Sequence, residues 1–290
     1  FAKLVKPTDP QALRDKAMKA LVQRLAKSLD ANLSQGGGAL NVLRSGFKDG
    51  SAKFEMCQFK PADNLNPNTL EKYSKVRLRV MRQVHYSAKN NKSFDLVLFV
   101  NGIPAATIEL KTDFTQSVED AINQYKNDRD PKGEPLLSFG HRSLVHFAVS
   151  NSEVYMTTKL AGEKTYFLPF NKGFNGGKGN PPNANGYQTA YLWEEVFQKD
   201  MWLKILEKFI QLEVKETTDR LGNKKQKETL IFPRYHQLDA VNKLIDAVKR
   251  EGAGKNYLFQ HSAGSGKSNT IGWCAHQLAT LHTEDDKKVF

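Results

Sequence analysis

The sequence predicts an α/β protein in two parts: a mixed sheet flanked by helices, followed by the beginning of a second α/β domain. Three observations support this class. Two apolar strands surround a turn in Phe94–Lys111, amphipathic helical segments alternate with apolar strands around them, and a glycine-rich loop lies between a strand and a helix near residue 264. We place the first domain at residues 1–212, a linker at 213–230 and the second domain at 231–290.

The strand pair carries charged side chains at its ends. An Asn-Gly dipeptide, the strongest short hairpin signal, separates its two apolar runs. Asp95 enters the first strand, and Glu109 and Lys111 end the second. Such charges are costly to bury unless they are paired, and a divalent metal is the usual partner of two carboxylates. The pattern predicts Mg²⁺ on Asp95 and Glu109, with Lys111 orienting the attacking water or stabilising charge on a phosphate.

The register of this hairpin decides whether the charges meet. Glu109 and Lys111 are two residues apart, so they point to one face of a strand. A strict two-residue turn would pair Asp95 with Ile108 and place Asp95 on the opposite face. A longer loop, favoured by Pro104, or a bulge would pair Asp95 with Glu109. A simpler alternative is an exposed strand end with an ordinary Glu–Lys pair.

The flanking segments show helical or strand periodicity. We predict helices at 9–33, 117–127, 191–212 and 240–248, and strands at 76–86, 144–149 and 154–158. The 117–127 helix should bury Val118, Ala121, Ile122 and Tyr125, and the polar tips of Gln124 and Tyr125 follow the predicted site. The Gly/Asn-rich loop at 171–186 has no function that the sequence identifies. The charged run at 215–228 predicts a linker or an exposed hairpin.

Composition limits the partners and the compartment. The 290 residues carry a net charge of +12, for which nucleic acid is the obvious polyanionic partner and a diffusely basic surface the alternative. No apolar run approaches the roughly 20 residues that a membrane span needs. Two distant cysteines form no metal-spaced cluster, so we expect a cytoplasmic protein without a disulfide.

The second candidate site is a phosphate-binding loop. A short apolar strand at Asn256–Gln260 precedes the sequence HSAGSGKS, and a helix at 269–281 follows it. Backbone amides at 263–266, which include Gly264, Ser265 and Gly266, would cradle the phosphates of ATP at a helix N-terminus. Lys267 would reach the β- and γ-phosphates, and the Ser268 hydroxyl would ligate Mg²⁺. His261 replaces the first glycine of the usual pattern, a change that helicase-type loops tolerate.

A glutamine lies thirty residues before the loop lysine. Gln237 follows the sequence FPRYH, and its amide can pair with adenine at two positions, while an aromatic ring of this segment could stack on the base. This segment resembles the adenine-reading Q motif of superfamily 2 helicases. The resemblance implies that residues 231–290 begin a RecA-like motor domain.

The spacing D-x13-E-x-K resembles the PD-(D/E)xK nuclease superfamily, and a nuclease followed by a helicase motor is a known arrangement. From about Asp95 onward the chain resembles the restriction (R) subunit of type I restriction enzymes, in FDLVLFVNGIPAATIELK, AINQYKNDR, LVHFAVS, FLPFNKG, GKGNP, YLWEEV, PRYHQ and SAGSGKS. The resemblance gives Asp95, Glu109 and Lys111 the nuclease roles and carries over Gln124 from a Q-x3-Y element. The tyrosine of that element does not carry over, because Asp128 stands at its position. Gln124 and Tyr125 could orient a water or contact the DNA backbone, and Tyr125 could equally be a core residue.

The resemblance implies a subunit that cleaves double-stranded DNA, translocates it with ATP, and docks with methyltransferase and specificity subunits. It also implies that the intact protein is far longer. No apolar strand that ends in an acidic DExx box follows the loop, so we expect this chain to bind ATP weakly without hydrolysing it. The alternatives are another nuclease–helicase of a defence system, and a basic DNA-docking module with a vestigial nuclease site. Neither the DNA recognition sequence nor the stoichiometry follows from the sequence.

Overall fold

The computed structural model of the protein describes residues 10–218, 222, 224–282, 287 and 289. Its helices are α1 (Pro10–Asp30), α2 (Gly38–Ser45), α3 (Pro67–Ser74), α4 (Val118–Asp128), α5 (Lys199–Lys204), α6 (Tyr235–Glu251) and α7 (Lys267–Leu278). Its strands are β1 (Phe47–Asp49), β2 (Ala52–Phe54), β3 (Leu78–His85), β4 (Ser93–Val100), β5 (Ile103–Leu110), β6 (Val145–Val149), β7 (Val154–Thr157), β8 (Leu168–Pro169), β9 (Gln211–Thr218) and β10 (Lys224–Ile231).

The centre of the fold is a six-stranded mixed sheet in the order β3-β4-β5-β6-β7-β8. β5 and β6 are parallel and every other neighbouring pair is antiparallel. Helix α4 connects β5 to β6 and packs on β5, β6 and β7, while α2 packs on β5. The predicted mixed sheet flanked by helices is therefore confirmed.

The β4–β5 hairpin combines two features that the sequence left as alternatives. Asn101 and Gly102 both have positive φ angles, 48° and 85°, and form a two-residue turn with Val100 opposite Ile103. Phe99 then pairs with Pro104 but Leu98 pairs with Ala106, so a bulge adds one residue to β5. The shifted ladder continues through Leu96 and Ile108, which brings the next residues, Asp95 and Glu109, opposite each other.

The inner face of α4 follows the prediction. The predicted core positions of this helix are all buried, and Tyr125 has no exposed surface. The α1 helix also agrees with the helix predicted at 9–33, of which residue 9 lies outside the described residues. Tyr125 is therefore a core residue, so its hydroxyl does not reach a DNA backbone.

Two predicted elements differ from the structure. The apolar and polar residues of strand β3 alternate, which predicts a half-buried strand, but Val80 on its apolar side is 56% exposed. The helix predicted over 191–212 is interrupted: π-helical turns at Leu192–Val196 and Ile205–Phe209 surround α5, and β9 begins at Gln211. The charged run at 215–228 forms the exposed hairpin β9–β10, which confirms one of its two predicted alternatives.

The predicted strand at 256–260 is wrong. These residues are irregular, and the Leu258 side chain is 92% exposed. A strand needs a neighbour that satisfies its backbone hydrogen bonds, and no described strand pairs with this segment. Apolar residues indicate strand propensity, but they do not provide the neighbouring strand that a sheet requires.

The main apolar core spans both predicted domains. Leu206 and Phe209 belong to the same cluster of buried side chains as Leu238, Val241 and Trp273 of α6 and α7. A second, smaller cluster lies between the sheet and α4. Within the described chain no helix is both long and apolar enough to cross a membrane, and Cys57 and Cys274 are both free thiols.

Candidate functional site

The bulged hairpin places two carboxylates side by side. Asp95 accepts a hydrogen bond from the Leu110 backbone amide through Oδ2 (2.8 Å) and one from the Gln83 side chain through Oδ1 (3.2 Å). Glu109 is fully buried. Burial raises the pKa of Glu109 to about 7, the Arg129 guanidinium opposes that rise, and the nearby Asp95 carboxylate adds to it. The Asp95 carboxylate is therefore close enough to raise the pKa of Glu109.

Arg129 is the main residue that the sequence interpretation missed. It forms a buried ion pair with Glu109, with Nη2 lying 2.6 Å and Nε 2.8 Å from Oε1. The other oxygen of Glu109, Oε2, is buried and has no hydrogen-bond partner. A signal was available, because Arg129 continues the inner face of α4 four residues after Tyr125.

Gln83 is a second missed contact. Its φ angle is +49°, which is uncommon for a residue other than glycine. Its side-chain oxygen accepts a hydrogen bond from the Ser93 hydroxyl (2.9 Å) while its amide nitrogen donates to Asp95. No local pattern predicts this contact, because it depends on the pairing of β3 with β4.

Lys111 and Gln124, the other two candidate site residues, differ in their hydrogen bonds. The Lys111 amide donates to the Val149 carbonyl (2.9 Å) and extends the β5–β6 ladder, while its partly exposed ammonium bonds to no residue that the structure describes. Gln124 is half-buried on α4 and makes no hydrogen bond with Asp95, Glu109 or Lys111. The described fold therefore brings Asp95 and Glu109 together, leaves the Lys111 ammonium free, and gives Gln124 no hydrogen bond with them.

The carboxylate pair fits a divalent cation. Mg²⁺ is commonly held by one or two carboxylates together with water and substrate phosphates. The described residues contain no group of three or more His, Cys, Asp and Glu side chains with metal-site spacing. The unpartnered buried oxygen of Glu109 beside Asp95 is the feature that suits a cation here.

The glycine-rich loop leads directly into helix α7. Gly264 and Gly266 have φ angles of 71° and 84°, and α7 begins directly after Gly266. The Lys267 ammonium donates to the His261 and Ser262 carbonyls of its own loop (3.2 and 3.1 Å). Ser268 is exposed at the first turn of α7. These residues could hold a nucleotide phosphate at the helix N-terminus.

Two side chains of helix α6 contact the backbone of this loop. Gln237 is buried, its amide nitrogen donates to the Gly266 carbonyl (2.9 Å), and its oxygen accepts from the Arg234 amide (2.9 Å). His236 bonds to the Ser265 carbonyl (3.1 Å), while the buried Ser265 hydroxyl has no partner. Both ends of the Gln237 amide thus contact backbone, and adenine recognition by this residue stays a prediction.

Comparison with known proteins identifies relatives of this chain. A family profile described as type I restriction enzyme R protein N terminus matches residues 5–165, more than half of the chain. A protein of Methanocaldococcus jannaschii, provisionally named type I restriction enzyme MjaVIIIP endonuclease subunit, is 26% identical over 232 residues. That match covers 75% of this chain but 20% of the relative, so the chain spans about a fifth of that protein's length. The chain belongs to the family of type I restriction enzyme R protein N-termini.

Proposed function

We propose that this chain carries the DNA-cleaving centre of a type I restriction subunit and hydrolyses phosphodiester bonds of double-stranded DNA with Mg²⁺. The observation that carries the proposal is the position of Asp95 opposite Glu109, produced by the bulge in β5. The family membership and the +12 net charge support a nucleic-acid substrate.

Each residue has a role in this proposal. Asp95 and Glu109 would hold Mg²⁺, and Gln83 keeps the Asp95 carboxylate oriented through its hydrogen bond. Lys111, with an ammonium that is free within the described chain, would orient the attacking water or stabilise charge on the phosphate. Mg²⁺, when bound, would activate water and neutralise charge that develops on the phosphate oxygens. Gln124 stays a candidate for contacting water or the DNA backbone.

We extend the proposal to ATP binding at the glycine-rich loop. Gly264, Ser265, Gly266 and Lys267 would bind the phosphates and Ser268 would contribute to a second Mg²⁺ site. In the longer protein this loop would begin a RecA-like motor that translocates DNA. The same protein would act in the cytoplasm with methyltransferase and specificity subunits, which supply sequence recognition.

The first test is Mg²⁺-dependent cleavage of DNA by the intact subunit with its partners and ATP. Asp95→Asn and Lys111→Ala should each lower cleavage by at least about 100-fold, because each removes a group acting on the reacting phosphate. ATP turnover and translocation should persist. Asp15→Asn, an exposed carboxylate on α1, is the matched control and should cleave normally.

A second function is favoured by one observation. Arg129 already neutralises Glu109, as it would in a DNA-docking module whose nuclease centre is vestigial. In that case, cleavage by the assembled enzyme would survive both Asp95→Asn and Lys111→Ala, and another subunit would be the nuclease.

A further inference from the structure

Arg129 is enclosed by side chains that fix its orientation. Its guanidinium lies 4.9 Å from the ring centre of Phe94 and 5.4 Å from that of Tyr86. Nη2 also donates to the Ser93 carbonyl (2.8 Å), and the side chain is 3% exposed. Such a cage leaves the guanidinium little freedom and no access to a DNA phosphate.

In the ion pair between Arg129 and Glu109, the guanidinium contacts a single carboxylate oxygen. A guanidinium commonly binds a carboxylate through two parallel hydrogen bonds, one to each oxygen. Here both Nε and Nη2 are directed to Oε1, at 2.8 and 2.6 Å. The second oxygen, Oε2, stays buried without a partner.

This asymmetry needs an explanation because an unsatisfied buried carboxylate oxygen is costly. A buried ion pair is also weak evidence for a role in stability, since its desolvation penalty offsets much of its attraction. Asp95, the other candidate cation ligand, accepts a hydrogen bond from the backbone amide of Leu110, the residue that follows Glu109 (2.8 Å). A cation between the two acids would occupy the oxygen that Arg129 leaves free.

We propose that Arg129 is a positioning residue of the metal centre: it holds Glu109 by Oε1 so that Oε2 remains available for a divalent cation shared with Asp95. This inference rests on the proposed function, because it assumes that the two acids share a cation. Arg129 itself touches neither the cation nor the DNA. Its contribution is the orientation of a buried ligand, which depends on the planar guanidinium and not on charge alone.

The test measures Mn²⁺ affinity by titration calorimetry on the intact protein at one fixed pH, with Mn²⁺ as the probe for the Mg²⁺ site. Arg129→Lys keeps the charge but loses the planar donor pair, and we expect it to weaken Mn²⁺ binding by about 10–100-fold. Asp95→Asn should abolish binding at this site. Melting temperatures measured without metal report separately on folding.

The outcomes separate this inference from the proposed function. Wild-type Mn²⁺ affinity in folded Arg129→Lys would overturn the positioning role and leave the nuclease proposal standing. Equal Mn²⁺ binding by wild type and Asp95→Asn would instead defeat the nuclease proposal. A role restricted to charge compensation would be rescued by lysine, so the affinity of this variant distinguishes the two roles.

A second variant covers the case in which changes at Arg129 prevent folding. Phe94→Leu removes the ring that lies against the guanidinium but keeps the ion pair. It should weaken Mn²⁺ binding by a smaller factor than Arg129→Lys does, because the guanidinium gains freedom. Unchanged affinity in folded Phe94→Leu would likewise count against the positioning role.

Discussion

Gly264 and Gly266 both adopt left-handed backbone conformations, yet their surroundings differ. A Cβ atom added to Gly264 would meet nothing within 4 Å, whereas one added to Gly266 would lie 2.5 Å from the Gln237 amide nitrogen. That nitrogen is the donor that binds the Gly266 carbonyl. The second glycine is therefore needed for packing against α6 as well as for its φ angle.

We predict that Gly266→Ala lowers the free energy of unfolding more than Gly264→Ala. Each change places an alanine at positive φ, which costs about 1–2 kcal/mol. Gly266→Ala also displaces Gln237 and should cost about 1 kcal/mol more through the lost hydrogen bond. Urea denaturation of the two variants measures the difference. Equal losses would mean that the contact between Gln237 and Gly266 contributes nothing to stability.

At the scale of the elements, a buried polar triad joins β5, β6 and α4. The Thr107 hydroxyl lies 2.7 Å from His146 Nδ1 and 2.9 Å from the Tyr125 hydroxyl, and all three side chains are buried. Thr107 precedes Glu109 by two residues on the same face of β5. The triad therefore anchors α4, the helix after which Arg129 lies, to the strand that carries Glu109.

We predict that this triad makes stability pH-dependent. Burial lowers the pKa of His146 to about 3, so folded His146 stays neutral while the unfolded chain takes up a proton near pH 6.5. Its contribution to stability is present above pH 6.5 and is lost as the pH falls toward 3, approaching roughly 1.4 kcal/mol per pH unit.

The matched variant is His146→Asn, whose amide can bond to Thr107 but does not titrate. The stability advantage of the wild type over this variant should shrink between pH 7 and pH 5, measured by urea denaturation. The other histidines and the carboxylates are common to both proteins, so their effects cancel. Parallel pH profiles would show that folding does not lower the pKa of His146.

At the scale of the whole molecule, helix α7 is attached to the segment that precedes β9. Trp273 is fully buried, and its indole nitrogen donates to the Phe209 carbonyl (2.8 Å). The two rings lie 5.5 Å apart. The helix that begins at the glycine-rich loop therefore shares its packing with residues of the predicted first domain.

We predict that Trp273→Phe destabilises the chain by about 1–3 kcal/mol, because it leaves the buried Phe209 carbonyl without its donor. Ile271→Ala on the same helix is the control, since Ile271 is 69% exposed and should change stability by about 0.5 kcal/mol or less. Thermal or urea unfolding followed by circular dichroism measures both. A similar effect of the two variants would mean that α7 is attached to the fold by other contacts.

Features that depend on short stretches of chain could be predicted. The hairpin follows from an Asn-Gly turn between apolar runs, and the buried face of α4 from residues spaced three and four apart. The strand predicted at 256–260 failed because apolar composition indicates propensity but not the presence of a neighbouring strand. Gln83 and His146 could not be found, because their partners lie on other strands.

By itself the sequence determined the type of most elements, the family, and the identity of the two acids and the lysine that form the candidate nuclease centre. Only the tertiary structure decided that a bulge coexists with a two-residue turn and sets Asp95 opposite Glu109, and that Arg129 binds one oxygen of Glu109. The physical reason is that periodicity reports interactions between residues close in the chain. Strand register and buried ion pairs depend on segments that meet only when the whole chain is packed.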